Sequence, residues 1–140
     1  MVGKIKTELG AALGNIEIGE VNYRERGYHL CCEVASGEIV KVARFFDERG
    51  FYLAAEICVD YKEYLELVYI FGNHAALCKV KVALKVDPAK PVAPTISTVF
   101  DCAYWYEREI REFFGVTFEG HPNMTYLFLH DGIDYYPLRK

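Results

Sequence analysis

The chain has 140 residues, about the length of one domain, and its 52% apolar and 26% charged residues favour a globular domain over a disordered chain. The 16 basic and 20 acidic side chains give a net charge of −4, which argues against nucleic acid as a partner. No apolar run reaches the roughly 20 residues of a membrane-spanning helix and no signal-peptide pattern is present, so we expect a cytoplasmic protein without a direct membrane span.

The first 50 residues alternate between helical and strand patterns. Residues 1–14 predict a helix, because their apolar residues fall on one stripe, made of Ile5, Leu9, Ala12 and Leu13. Residues 16–23 and 27–34 alternate around Arg26 and Gly27, which predicts a β-hairpin. Ser36 is a candidate N-cap for a second helix that ends at Gly50 and has a stripe made of Ile39, Val42, Ala43 and Phe46.

Three strands are predicted next, over 52–60, 64–71 and 77–86. The last strand alternates strictly: one face consists of Val80, Val82, Leu84 and Val86, and the other carries lysines. Such a pattern is typical of a sheet that is covered by helices on one face and wet on the other. Prolines at 88, 91 and 94 then exclude a helix or an inner strand, so we interpret residues 87–95 as an extended crossover.

The last predicted helix covers about 102–114, with Asp101 as N-cap and Gly115 as its C-terminal stop. Its apolar stripe comprises Cys102, Tyr106, Ile110, Phe113 and Phe114. The spacing predicts two ion pairs that point away from this stripe, one between Glu107 and Arg111 and one between Arg108 and Glu112. The element order indicates a two-layer α+β fold, with a mainly antiparallel sheet, helices on one face and an extended C-terminal arm. We expect residues 1–100 to form the core and residues 101–140 to form a helix and docking arm of the same domain.

Glu109 is placed by its spacing on the shoulder of the apolar stripe, where a free carboxylate would be costly unless paired. Three interpretations stay open. The side chain could be a paired carboxylate at the core edge, an ion-pair partner across a subunit interface, or a catalytic acid or base.

The remaining candidates for chemistry are weak. Five cysteines without a C-x-x-C spacing indicate reduced, mostly buried thiols. Gly120, His121 and Pro122 form a predicted turn in which His121 bonds the backbone, since no other His or Cys lies at metal-ligand spacing. Residues 126–129 are predicted as a short strand or an extended arm, and the Tyr-Tyr-Pro-Leu-Arg-Lys ending could lie along a partner.

The segment WYEREIREFFGVTFEGHP at 105–122 resembles the signature of the 30-kDa subunit family of respiratory complex I, the NADH:quinone oxidoreductase. The resemblance covers about residues 52–140 and includes the Pro-Leu-Arg-Lys ending with Arg139. The positions that carry it, which the resemblance implies as partner-interface residues, are Trp105, Glu107, Arg108, Glu109, Phe113, Gly115, Phe118, Gly120, His121, Pro122 and Arg139.

This resemblance implies a non-catalytic subunit with no catalytic, cofactor-binding or metal-binding residue of its own. Members of the family dock in the peripheral arm on the large, 49-kDa-type catalytic subunit and near the small iron–sulfur subunit. Those partners carry the iron–sulfur clusters, together with flavin or nickel–iron. We therefore expect a protein peripheral to the inner face of the cell membrane, which supports electron transfer from NADH to quinone.

Two alternatives remain. The same module occurs in energy-converting membrane-bound nickel–iron hydrogenases, and the sequence does not separate the two assemblies. A free-standing enzyme that uses Glu109 and His121 as acid and base is a different class of function, and it would need both side chains in one pocket.

Overall fold

A computed structural model describes residues 2–14, 16–125 and 135–139 as a sheet with helices packed on one face. The helices are α1 (Val2–Leu13), α2 (Tyr23–Arg26), α3 (Ile39–Glu48) and α4 (Ala103–Phe114). The strands are β1 (Ile18–Glu20), β2 (Leu30–Glu33), β3 (Phe51–Asp60), β4 (Leu65–Asn73), β5 (Cys78–Val86), β6 (Val92–Pro94) and β7 (Thr117–Glu119). The predicted α+β class is confirmed. The predicted run 126–129 lies outside the described residues.

The main sheet has the strand order β1-β2-β5-β4-β3 and is antiparallel except where β2 pairs with β5. The alternation predicted for β5 is confirmed, since Val80, Val82 and Leu84 are fully buried. Opposite them, the Phe46 ring of α3 stacks on the Phe71 ring of β4 with centroids 4.5 Å apart. The apolar stripes of α1 and α3 thus cover one sheet face, as their 3.6-residue period predicts.

The predicted hairpin exists, but its connection was wrong. β1 and β2 pair antiparallel, yet the short helix α2 stands between them instead of a tight turn. Asn22 caps this helix by accepting a hydrogen bond from the Arg24 amide, and Gly27 ends it with φ of 82°. The capping pattern outweighs the strand alternation here, because a side-chain acceptor and a left-handed glycine satisfy both ends of one helical turn.

Two further boundaries differ from the prediction. Ser36 is not an N-cap but the first residue of a 3₁₀ turn over Ser36–Glu38 that leads into α3, and no side chain caps that turn. The proline segment is not only a crossover, because β6 pairs in parallel with β7 to form a small second sheet. Pro94 is tolerated there because a two-stranded edge leaves its missing donor unneeded.

A β-bulge between Leu53 and Ala55 reverses the alternation of β3. Before the bulge, Phe51 and Leu53 face the core, whereas after it Glu56 is buried and Ile57 lies on the open face of the sheet, 49% exposed. A regular strand would have placed Ile57 inside with Leu53. One bulge therefore brings a carboxyl into the core and an isoleucine to the surface.

Candidate functional site

Helix α4 begins at Ala103, so the prediction of Asp101 as its N-cap was wrong. Cys102 already has helical dihedral angles and no side chain caps the first turn. The preceding turn takes over this task, since the amides of Ala103 and Tyr104 donate to the carbonyls of Phe100 and Asp101. The predicted stop is confirmed, because Gly115 ends the helix in the left-handed region with φ of 81°.

The charged side chains of α4 do not point to solvent, which contradicts the predicted ion pairs. Glu107 is 0% exposed, and Arg108 and Glu112 are buried as well. Arg111 donates to the Tyr136 hydroxyl at 3.0 Å rather than pairing with Glu107. The helix is therefore packed through a partly polar face, which propensity and spacing alone could not reveal.

Glu107 is anchored by the segment that precedes the helix. The Thr95 hydroxyl donates to its Oε1, and the Ile96 amide donates to its Oε2 at 3.0 Å. Burial raises the pKa of Glu107 from 4.5 to about 7, and the hydrogen bonds from Thr95 and Ile96 limit the rise. The carboxyl thus fixes the end of the proline segment against α4.

Glu56 of β3 lies beside Glu107 and is 2% exposed. Burial, and then the Glu107 charge, raise the pKa of Glu56 well above its usual value. Among the described residues, neither Glu56 oxygen nor the nearby Tyr69 hydroxyl has a hydrogen-bond partner of good geometry. The two buried carboxyls form a polar cluster that favours a bound proton over two negative charges. Sequence reasoning missed this cluster because only the bulge turns Glu56 inward.

Arg108 and Glu109 have different surroundings. The Arg108 guanidinium donates to the Thr125 carbonyl at 3.2 Å and to the Thr125 hydroxyl at 3.1 Å, and it lies 5.2 Å from the Trp105 ring centroid. Glu109 is exposed, so its predicted place on the core shoulder was wrong. Arg108 holds the chain after the Gly-His-Pro turn, and Glu109 is available to a partner.

His121 bonds the backbone as predicted for a turn residue. Its Nε2 lies 3.0 Å from the Tyr104 carbonyl, and its Nδ1 accepts from the Asn123 amide at 3.0 Å. Both ring nitrogens are therefore engaged, and the turn is tied to α4. Within the described ranges, no cluster of three or more His, Cys, Asp or Glu could hold a metal ion.

Trp105 stands on the exposed side of α4, 54% exposed, at the rim of a cavity of about 430 Å³. We call this cavity the Trp105 pocket; it is lined by Ser97, Thr98, Asp101, Tyr104, Trp105, Gly120 and Pro122. The structure thus brings three of the predicted interface positions together, while Glu109 and His121 do not line the pocket. Gly120, with φ of 86°, shapes the turn on the far side.

The last described residues fold back on the chain. The Leu138 amide donates to the Phe113 carbonyl at 3.1 Å, and Arg139 donates to the Pro88 carbonyl at 2.7 Å. Phe113 is half-buried, and Phe118 lies in the core on β7. Residues 135–139 therefore pack against α4 and the proline segment, although the prediction had them free to lie along a partner.

The family model described as respiratory-chain NADH dehydrogenase, 30 Kd subunit, matches residues 32–140. The chain belongs to this family. The C-type NADH-quinone oxidoreductase subunit from Xanthobacter autotrophicus is 32% identical over 118 residues, which cover 79% of this chain and 56% of that protein. The C/D 2 subunit of NADH-quinone oxidoreductase from Aquifex aeolicus is 33% identical over 126 residues, which cover 86% of this chain and 21% of that protein. This member of the 30-kDa family thus spans about half, or less, of the length of these relatives.

Two solved structures share the fold of this 30-kDa family member. A chain of the membrane-bound sulfane sulfur reductase, an archaeal respiratory membrane complex, has a TM-score of 0.84 and 26% identity, and the match covers 98% of this chain and 82% of that one. The trypsin-resistant fragment of Nqo5 has a TM-score of 0.72 and 24% identity, and the match covers 88% of this chain and 99% of that one. In the part of the chain that the structure describes, no helix is both long and apolar enough to cross a membrane.

Proposed function

We propose that this chain is a non-catalytic structural and assembly subunit in the peripheral arm of an NADH:quinone oxidoreductase. It docks on the large, 49-kDa-type catalytic subunit beside the small iron–sulfur subunit, and it reaches the inner face of the membrane through that complex. It holds no cofactor of its own. Electron transfer from NADH to quinone takes place in its partners, which carry the iron–sulfur clusters and flavin.

The observation that carries this proposal is the division of α4 into an inner charged face and an outer aromatic one. Glu107 and Arg108 are used to hold the proline segment and the segment after the turn. Trp105 and Glu109 are left exposed next to the Trp105 pocket. A half-exposed tryptophan at a cavity rim, with a charge one turn away, is typical of an interface anchor.

A relative supports the identity of the proposed partner. The name of the Aquifex aeolicus protein joins two subunit letters, C and D, and this chain matches only 21% of that protein. One polypeptide that carries both parts indicates that the C part lies close to the D part. We assign the 49-kDa-type role to the D part, and we place this chain next to its equivalent.

A second assembly is favoured by a specific observation. The chain covers 82% of the matched chain in the archaeal sulfane sulfur reductase complex, but 56% of the Xanthobacter subunit. A compact subunit of an energy-converting membrane complex, such as a sulfur reductase or a nickel–iron hydrogenase, is therefore the alternative. The docking role is the same in both, and only the electron donor or acceptor of the partners differs.

The free-standing enzyme gains no support from the geometry. Both His121 nitrogens are engaged with the main chain, and Glu109 is exposed outside the Trp105 pocket. An acid–base pair would need both groups free in one site.

The docking role is tested with the variants Trp105→Ala and Glu109→Lys in the native host, with Leu77→Ala as a matched control. Leu77 is 61% exposed, but it lies in the turn between β4 and β5, away from α4. We expect both α4 variants to reduce the amount of chain found in the assembled complex at least tenfold, with free energies of unfolding within about 1 kcal/mol of the original. Full assembly of both variants would refute the α4 docking surface.

A further inference from the structure

The open face of the main sheet contains a groove that the docking role of α4 does not use. Its floor consists of Ile57, Val59, Val68 and Ile70, which lie on β3 and β4. Tyr28 and Tyr61 stand at its sides, and its volume is about 390 Å³. The helices cover the opposite face of the sheet, so this groove is separate from the Trp105 pocket.

Two irregular features build the groove. The bulge in β3 turns Ile57 and Val59 outward, and Ile57 remains 49% exposed. The short helix α2, which interrupts the hairpin, ends at Arg26 and Gly27 and so places Arg26 and Tyr28 along the groove. A regular strand and a tight hairpin turn would produce neither the apolar floor nor this wall. Exposed β-branched residues grouped on a sheet face indicate a surface that another molecule covers.

The charges along the groove select the kind of occupant. Arg26, Lys79 and Lys81 line it, against the single carboxylate of Glu66. Among the described residues, none of these three cations forms an ion pair, and the Lys81 ammonium lies 5.7 Å from the Tyr28 ring centroid. This local excess of positive charge stands out in a chain whose net charge is −4. An acidic occupant would pair with these cations, and an aliphatic one would cover the floor.

The neighbouring surface limits the groove on one side. Beyond Lys81 the sheet face becomes acidic, because Glu17, Glu33 and Glu66 line the adjacent cavity over β1 and β2. Lys85 is already paired with Glu33 at 3.7 Å. An acidic segment is therefore attracted to the Arg26 side and repelled from the β1 side, which fixes how it can lie.

We propose that this groove docks an acidic, aliphatic segment of a second partner subunit in the complex. The proposal rests on the proposed function, since it needs an assembled complex, but it concerns a different surface and a different contact from α4. We call Arg26, Ile57, Lys79 and Lys81 the groove site.

The test is lysine acetylation of the purified native complex, compared with acetylation of the free chain, followed by mass spectrometry of each lysine. We expect Lys79 and Lys81 to react at least fivefold more slowly in the complex. Lys4 and Lys41 are exposed on α1 and α3, on the opposite side of the sheet, and they serve as internal controls with unchanged rates. Coupling with a carbodiimide should also join Lys79 or Lys81 to an aspartate or glutamate of a neighbouring subunit.

Other outcomes overturn the proposal in distinguishable ways. Equal reactivity of Lys79 and Lys81 in an intact complex refutes the groove site but leaves the docking of α4 untouched. Absence of any complex defeats the proposed function itself. Protection of the free chain by phosphatidylglycerol vesicles, or protection that grows with the concentration of the free chain, would assign the groove to a membrane surface or to a second copy and refute the subunit segment.

A pair of variants adds an independent arm. Lys79→Glu with Lys81→Glu should lower incorporation into the complex at least fivefold, whereas Lys4→Glu with Lys41→Glu makes the same charge change without effect. Ile57→Ser tests the apolar floor against Leu77→Ser, since both residues are exposed in the free chain. Unchanged incorporation of both groove variants would refute the proposal.

Discussion

Replacement of Glu56 by glutamine tests the buried carboxyl cluster of the core. Burial and the neighbouring Glu107 raise the pKa of Glu56, so the folded chain takes up a proton that the unfolded chain releases. This uptake costs nothing below the unfolded pKa of about 4.5 and destabilises the fold increasingly as the pH rises above it. Glutamine has the shape of the protonated acid and cannot ionise, so it removes the penalty.

The size of the effect follows from proton linkage. A group that is protonated in the folded state and ionised in the unfolded state lowers the free energy of unfolding by about 1.4 kcal/mol per pH unit. Between pH 5 and pH 7, the Glu56→Gln variant should therefore gain up to about 3 kcal/mol relative to the original chain. Glu107, whose pKa is raised to about 7, keeps its own pH dependence in both proteins.

The assay is urea unfolding at pH 5, 6, 7 and 8. We expect the two proteins to have similar stability at pH 5 and to diverge steadily above it. Glu109→Gln is the matched control, because Glu109 is an exposed carboxylate on the same helix as Glu107, and its pH dependence should follow that of the original chain. Parallel pH curves for Glu56→Gln and the original chain would refute the proton-loaded cluster.

Three smaller predictions concern the backbone and one anchor. Gly115→Ala should lower the free energy of unfolding by about 2 kcal/mol, since φ is 81° and the new Cβ would lie 2.6 Å from the Tyr136 ring. Lys62→Asn should raise it by about 0.5 kcal/mol, because Lys62 has φ of 71° and asparagine tolerates that region better. Arg108→Lys should lower it by about 1–2 kcal/mol, because lysine cannot bond both Thr125 oxygens as the guanidinium does.

Urea unfolding at pH 7 measures all three. Gly37→Ala is the control for the glycine, because a Cβ at that position meets no atom within 4 Å. An equal loss at both glycines would contradict the steric argument. A loss of stability in Lys62→Asn, or none in Arg108→Lys, would contradict the other two.

The regular elements were predictable because their sequences are periodic. The strict alternation from Val80 to Val86 and the stripe from Ile39 to Phe46 identify a strand and a helix whose buried faces the structure confirms. The α+β class followed from their order. The stop of α4 at Gly115 was also predictable, because glycine alone enters the left-handed region without steric cost.

The irregular features were not predictable, and they shape both candidate surfaces. Nothing in the alternation of β3 indicates that a bulge turns Glu56 inward and Ile57 outward. The spacing of α4 put Glu107 in solvent and Glu109 on the core shoulder, whereas hydrogen bonds from Thr95 and Ile96 bring Glu107 inside. Periodicity reports the average polarity of a face, and a buried carboxyl depends on partners that are distant in sequence. The resemblance identified the interface positions as a set without separating internal anchors from the exposed Trp105.

The most direct test of the docking role is purification of an N-terminally tagged copy from its native host in mild detergent, with mass spectrometry of the co-purifying proteins. We expect a 49-kDa-type catalytic subunit together with a small iron–sulfur subunit and NADH-binding subunits. Hydrogenase or sulfur reductase subunits in place of the NADH-binding ones would move the chain to the alternative assembly. Recovery of the chain alone, with its fold intact, would contradict the account.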